Sequence, residues 1–149
     1  VPCTIVDPLI RKHGEKLEPR ESKRIRKTGA PHPVLVSQSF NRTTFLQDYL
    51  EHLHETSVLV GLHPAQPTED IVDTALQLNK PFAVVPCCVF PSFFPLRTLP
   101  CGKFVQSYGD FLDYLLLKDS RLRMCELPFQ GRNQVVYLTF EDSLRRTDH

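Results

Sequence analysis

The residues best suited to chemistry in this sequence follow two apolar segments. His63 comes directly after the run Val58–Leu62, and Cys87 and Cys88 come shortly after the run Phe82–Val85. A neutral histidine can act as a general base or bind a metal, and a cysteine is nucleophilic when its pKa is lowered. Because neighbouring residues of an extended chain point in opposite directions, we expect only one of the two thiols to face a shared site.

The segments around these residues predict a strand, a helix and a second strand. A helical pattern runs from Thr68, the expected N-cap, to about Leu78. A crossover helix makes the two flanking strands parallel, so their carboxyl ends meet at one edge of the sheet. Ligands of open α/β sheets bind at that edge. His63 and the two cysteines are therefore predicted to share a site.

The rest of the chain continues the alternation of strands and helices. Further strands are predicted at Cys3–Val6, Val34–Ser37, Leu122–Leu127 and Gln134–Phe140, and further helices from Pro19 to just before Gly29, over Thr43–His54 and over Tyr108–Leu117. This order favours a doubly wound, mainly parallel sheet, and the short last loop favours a C-terminal antiparallel hairpin. The charged tail after Phe140 is expected to fray. We predict one α/β domain over residues 1–149.

Composition and charge exclude several classes of protein. The 149 residues are 41% hydrophobic and 23% charged with a net charge of +1, which predicts no general attraction to nucleic acid or anionic lipid. No apolar run approaches the roughly 20 residues of a membrane helix. Five cysteines, two of them adjacent, argue against a disulfide framework and favour an intracellular, cytoplasmic location. No metal site is predicted, since His63 and one cysteine lack further ligands.

Two short motifs and the order of elements resemble the class I S-adenosylmethionine-dependent methyltransferases. The motifs are GLHPAQPT (Gly61–Thr68) and VPCC (Val85–Cys88). They are similar to a His-x-Cys-Gly-x-Leu-Thr loop and a Pro-Cys-Cys segment of a poorly characterised branch, which includes methyltransferase-like proteins and glutathione-S-transferase C-terminal-domain-containing proteins. The element order covers most of the chain. The residue match is confined to the motifs, and the Cys-Gly of the loop is missing here.

The resemblance implies a Rossmann-like fold, S-adenosylmethionine as cofactor and a methyl acceptor that the sequence does not identify. It implies that Asp7 holds the cofactor's ribose hydroxyls and that Phe40 stacks on the adenine, with Gly61 as a third cofactor-binding residue. His63, Cys87 and Cys88 would be the catalytic residues. All of these except Gly61 also have a structural alternative: a turn-capping aspartate, a core phenylalanine, a loop histidine bonded to backbone, and buried inert cysteines.

The family's glycine-rich first loop is absent, and Cys3–Val6 corresponds to the family's second strand. The family's first strand lies between the second and the fourth, so without it two interior edges would lack partners, at about 1–3 kcal/mol for each buried unpaired group. We therefore expect either that Cys3–Val6 pairs directly with Val58–Leu62, or that another segment or chain fills the gap. An exposed edge would also support a homodimer.

Other functions stay open. A non-catalytic α/β interaction module would use the sheet edge or the loop Phe90–Pro100 for docking. A nucleotide- or phosphate-binding protein of another family is disfavoured because no phosphate-cradling glycine loop is present. The basic stretch Arg11–Lys27 could contact RNA, although its glutamates dilute the charge and a solvated helical face is the alternative.

Overall fold

The computed structural model describes residues 2–9, 19–29 and 31–145. These fall into two compact units, Val1–Phe40 and Asn41–His149. In the first unit, strands β1 (Thr4–Val6) and β2 (Val34–Val36) pair in parallel, with helix α1 (Pro19–Thr28) between them in the chain. The helix ends at Gly29, whose φ of 66° is the left-handed conformation that glycine adopts after a helix, as predicted.

The basic stretch is described only in part, because residues 11–18 lie outside the described ranges. Within α1, the side chains of Lys23, Arg24, Arg26 and Lys27 are exposed. A contact between this helix and RNA stays a prediction.

The second unit contains a four-stranded mixed sheet and five helices among its described residues. Its elements are α2 (Arg42–Asp48), α3 (Leu50–Glu55), β3 (Leu59–Leu62), α4 (Thr68–Gln77), β4 (Phe82–Val85), α5 (Tyr108–Leu116), β5 (Arg123–Glu126), β6 (Gln134–Leu138) and α6 (Phe140–Ser143). The strand order is β3-β4-β6-β5. β3 and β4 are parallel, as predicted from the crossover helix, and β5 and β6 form the predicted antiparallel hairpin. The α/β class is thereby confirmed.

The four-stranded sheet has fewer parallel strand pairs than the sequence predicts. β6 lies between β4 and β5 and is antiparallel to both. The loop at residues 127–133 is too short for a crossover, so the chain must return antiparallel. Burial decides which strand becomes the interior one. Val135, Val136 and Leu138 of β6 are buried, whereas every residue of β5 is exposed. The apolar strand therefore takes the interior position.

The predicted pairing of Cys3–Val6 with Val58–Leu62 is wrong. β1 pairs with β2, and β3 pairs with β4 through one of its edges. No described residue forms a strand on the other edge of β3. That another segment or chain fills this gap stays a prediction.

Three element boundaries differ from the prediction. The helix over Thr43–His54 is divided at Tyr49, which leaves the helical region (φ −129°) and stacks on Phe45. Thr68 is the first helical residue rather than the cap, and its hydroxyl donates to the carbonyl of Ala65. Phe140 begins α6 instead of ending a strand. That helix is capped by Thr139, and Asp142 and Ser143 are buried, so the segment after Phe140 is ordered through Ser143.

The core of the second unit lies between the sheet, α4 and α5. α4 packs against β3 and β4, and α5 packs against β6. Val72 and Ala75 of α4, Val84 and Val136 of the sheet and Leu115 of α5 are completely buried. None of the helices in the described part of the chain combines the length and apolar character needed to cross a bilayer.

A cluster of charged side chains centred on Glu69 fixes the loop between β4 and α5 (residues 86–107). Glu69 accepts from Arg97 Nε at 2.6 Å, from the Tyr114 hydroxyl at 2.6 Å and from Lys118 Nζ at 2.7 Å. Burial raises the pKa of Glu69, but the hydrogen bonds from Lys118 and Tyr114 and the charges of Lys118 and Arg97 outweigh burial and hold that pKa below its ordinary value. Arg97 is itself buried, with its guanidinium 3.7 Å from the Phe94 ring centroid. The cluster thus joins α4, the loop and α5.

Replacing Gly61 by alanine is expected to destabilise the second unit by about 1–3 kcal/mol, the usual cost of overpacking. A Cβ there would lie 3.0 Å from Ile71 Cδ1, 3.1 Å from Pro64 Cγ and 3.3 Å from Val84 Cγ1. This cost exceeds the roughly 0.4–1 kcal/mol gained by restricting the unfolded chain. Urea denaturation gives the difference in the free energy of unfolding.

The matched control is Gly109→Ala, in the first turn of α5. Its Cβ would meet only Ser107 Oγ, at 3.9 Å, and alanine favours the helix by up to about 1 kcal/mol. Equal stability of Gly61→Ala and the unmutated chain would contradict the packing described for Gly61.

Candidate functional site

The carboxyl ends of β3 and β4 lie side by side. Leu62 is paired with Val85, and the amide of His63 donates to the carbonyl of Val85 at 3.0 Å. His63 and the segment that begins with Pro86 therefore leave the sheet at the same edge. The structure confirms this juxtaposition, which the sequence predicts from the crossover helix.

His63 lies in a strained turn and is held by the β5–β6 hairpin. Both His63 (φ 52°) and Ala65 (φ 56°) adopt the left-handed region, which costs a non-glycine residue roughly 1 kcal/mol or more. The imidazole Nε2 lies 2.9 Å from the carbonyl of Arg132, and its ring meets Phe129 edge-on. Since a carbonyl only accepts, Nε2 carries a proton, and Nδ1 is the nitrogen left to accept one in the neutral ring.

Cys87 is half-buried next to the same turn, while Cys88 is exposed. Burial, and then the neighbouring Cys88, raises the pKa of the Cys87 thiol, and the nearby backbone of Ala65 offsets part of this rise. A raised pKa keeps the thiol protonated at neutral pH and disfavours the nucleophilic role suggested for it. Cys87 is better suited to packing or to weak hydrogen bonding.

Tyr108 and Arg132 complete this group. The guanidinium of Arg132 lies 3.9 Å from the centroid of the Tyr108 ring, a cation–π contact. The Tyr108 hydroxyl is buried and has no hydrogen-bond partner in the described part of the chain. The backbone of Gln134 lies beside it. Burial raises the pKa of Tyr108, and the charge of Arg132 and the backbone of Gln134 offset part of this rise.

The N-terminus of α5 fixes the position of Tyr108. Ser107 caps the helix: its hydroxyl accepts from the amide of Asp110, and Asp110 Oδ2 accepts from the amide of Ser107. Lys103 binds the other oxygen of Asp110 at 2.6 Å. A reciprocal cap of this kind defines where the first turn begins and hence where Tyr108 lies.

We call His63, Cys87, Tyr108 and Arg132 the rim. Together they offer a proton-accepting nitrogen, a protonated thiol, a hydroxyl without a partner and a cation. Arg132 is exposed and makes no ion pair with any described residue. No three His, Cys, Asp or Glu side chains in the described ranges are grouped to hold a metal ion. The rim is suited to orienting a polar ligand and moving a proton.

Of the predicted cofactor-binding residues, only Gly61 belongs to the same unit as the rim. Asp7 and Phe40 belong to the first unit, so their proximity to the rim stays a prediction. Asp7 Oδ1 accepts from the amide of Leu9 at 2.7 Å, which is the turn-capping alternative, and Phe40 is half-buried. Gly61 lies two residues before His63, and its close packing against Ile71 explains why the residue at this position is glycine.

An open apolar depression of about 440 Å³ lies elsewhere, between α5 and the preceding loop. It is lined by Leu99, Pro100, Cys101, Asp113, Leu116 and Leu117. None of these is a rim residue, so the depression and the rim are separate surfaces.

Sequence reasoning missed Tyr108 and Arg132 because each lies far along the chain from His63. Tyr108 begins a predicted helix and Arg132 lies in a predicted turn, and neither position signals chemistry by itself. Only the antiparallel return of β6 beside β4 brings the turn to His63. Comparisons with protein-family models, with curated proteins and with solved structures found no match.

Replacing Tyr108 by phenylalanine is expected to leave the free energy of unfolding unchanged or to raise it by up to about 1 kcal/mol. The substitution removes a buried hydroxyl that has no partner, so no hydrogen bond is lost. The control is Tyr114→Phe, which removes a hydroxyl bonded to Glu69 and should cost about 1–2 kcal/mol. Chemical denaturation measures both. A clear loss of stability for Tyr108→Phe would mean that its hydroxyl is already satisfied.

The start of α5 should weaken in acid. The hydrogen bond from Lys103, followed by those from Ser107, holds the pKa of Asp110 well below its ordinary value. Because the folded-state pKa is the lower one, its contribution to stability is present above about pH 4 and is lost as the pH falls further. In Asp110→Asn this contribution is absent. The difference in melting temperature between the two proteins should therefore be largest near pH 7 and shrink below pH 4. Parallel curves from pH 7 to pH 3 would contradict this account.

Proposed function

We propose that this chain is a methyltransferase-like α/β protein that uses S-adenosylmethionine. The observation that carries the proposal is the gathering of His63, Cys87, Tyr108 and Arg132 at the carboxyl ends of two parallel strands. This is the edge at which open α/β sheets bind ligands. Two of these residues belong to the motifs that resemble the methyltransferase branch. The C-terminal hairpin, with β6 antiparallel beside β4, also agrees with that resemblance.

The rim residues fit the handling of a methyl acceptor. When bound, S-adenosylmethionine supplies an electrophilic methyl group. His63 Nδ1 would take the proton that the acceptor loses, because Nε2 is held at the carbonyl of Arg132. Tyr108 would donate its unused hydrogen to an acceptor atom of the ligand, and Arg132 would face an anionic group. Alignment of the acceptor with the methyl group would account for most of the rate.

The residues expected to hold S-adenosylmethionine form a less complete site than the residues expected to hold the methyl acceptor. One oxygen of Asp7 is already occupied by the amide of Leu9, which leaves Oδ2 for a ribose hydroxyl. The sequence also lacks a glycine-rich loop, so its backbone has no cradle for the rest of the cofactor. We therefore expect the 149-residue chain to bind S-adenosylmethionine weakly, with a dissociation constant near 1 mM, about −4 kcal/mol.

The test is calorimetric titration with S-adenosylmethionine and S-adenosylhomocysteine. Asp7→Asn should weaken binding about tenfold, a difference of 1.4 kcal/mol. Asparagine keeps the oxygen that caps the turn at Leu9 but loses the charge, so the fold is preserved. Asp48→Asn, at an exposed site in α2, is the matched control and should bind like the unmutated chain.

Two results would refute this function. One is the absence of binding by both compounds at millimolar concentration, and the other is equal binding by Asp7→Asn and Asp48→Asn. If the gene encodes residues before Val1, the longer form belongs in the same titration. No binding by either form would remove the enzymatic interpretation altogether.

The second candidate function is a non-catalytic interaction module. It is favoured by exposed apolar side chains on the segment between β4 and α5, where Phe93 is 67% and Leu96 88% exposed. Clustered exposed apolar groups mark docking surfaces in soluble proteins. The titration separates the two functions, since a docking module has no reason to bind either S-adenosyl compound.

A further inference from the structure

The outer edge of β3 exposes an apolar strand without a partner. β3 ends the order β3-β4-β6-β5, and no described residue forms a strand beyond it. Val58, Val60 and Leu62 are 49%, 70% and 68% exposed, whereas Leu59 and Gly61 are buried. One face of this segment therefore packs in the core, and the other face is exposed.

The hydrogen bonds to β4 show which backbone groups are free. The amide of Leu59 donates to the carbonyl of Pro81, just before β4, and the amide of His63 donates to the carbonyl of Val85, the last residue of β4. Because backbone groups alternate in direction along a strand, those of Val58, Val60 and Leu62 point away from β4. Their side chains also lie on the face opposite α4, since Gly61 faces Ile71 of that helix.

This edge lacks three of the usual defences against pairing, although β3 itself is short, with four residues. Natural edge strands are protected by proline, by charged side chains or by a bulge. The sequence from Val58 to Leu62 has no proline and no charge, and its pairing with β4 is regular over the whole strand. Free backbone groups flanked by apolar side chains specify another β-strand as the partner.

We infer that a second copy of this chain pairs with β3, strand to strand and antiparallel. Around a two-fold axis at Val60, Val60 faces Val60 of the second copy and Val58 faces Leu62. These are the residues whose backbone groups are free, so each facing pair can exchange both of its hydrogen bonds. All facing side chains are apolar, and no like charges meet. The edge is self-complementary, as an isologous interface must be.

The size of this interface sets its strength. Two strands of about five residues bury well below the roughly 1,000 Å² expected of a stable interface. We therefore expect a weak dimer, with a dissociation constant on the order of 10–500 μM, rather than a permanent one. This inference does not rest on the proposed methyl transfer.

Sedimentation velocity of the 149-residue chain tests the inference over about 5 μM to 1 mM. The average mass should rise toward that of a dimer with concentration. Val60→Lys should keep the protein monomeric throughout, because two lysines would meet at the two-fold axis. Leu117→Lys is the matched control: Leu117 is 60% exposed on a different element and should leave association unchanged. Equal melting temperatures of the two variants exclude misfolding as the cause.

Three results would overturn the inference. The unmutated chain stays monomeric at every concentration, Val60→Lys associates like the unmutated chain, or Leu117→Lys abolishes association as well. In the first case, hydrogen exchange of the Val60 and Leu62 amides shows what replaces the second copy. Slow exchange in the monomer would mean that residues of the same chain cover the edge, and fast exchange would mean that it stays bare.

Discussion

The parallel pairing of β3 with β4 is the constraint on which the rest of the second unit depends. It requires a crossover, which α4 supplies, and α4 then covers one face of both strands. It also places the ends of both strands at one edge, so His63 and Cys87 become neighbours although α4 separates them in the chain. The antiparallel return of β6 adds Arg132 to that edge. The candidate site is thus a consequence of strand order.

The polar side chains of the second unit differ widely in how many hydrogen-bond and ion-pair partners they have. Around Glu69, three donors converge on one carboxylate and Arg97 is buried between aromatic rings, which fixes the loop before α5. At the rim, the Tyr108 hydroxyl lacks a partner and Arg132 faces solvent. Buried polar groups are nearly always paired in folded proteins, so the unpartnered hydroxyl beside an exposed cation supports the proposed ligand site.

Much of this fold follows from the sequence, and the failures have physical reasons. The run from Val58 to Val85 predicts its strands and helix because apolar periodicity and proline positions are local signals. The rim is only half predictable, since Tyr108 and Arg132 reach His63 through strand pairing that no local pattern encodes. The antiparallel hairpin is predicted, but the interior position of β6 is not, because interior and edge strands differ in burial, as β6 and β5 do, rather than in propensity. The sequence does not predict the free edge of β3: both alternatives drawn from it have that edge filled, either by Cys3–Val6 or by another segment or chain.

The central claim is that the residues after β3, β4 and the β5–β6 hairpin form one rim in solution. Nuclear Overhauser measurements on the isotope-labelled 149-residue chain test it without any ligand. We predict cross-peaks between the ring protons of His63 and those of Phe129, contacts between Arg132 and the Tyr108 ring, and slow exchange of the His63 amide that donates to Val85. A His63 ring without contacts to the hairpin, together with a rapidly exchanging amide, would contradict the account.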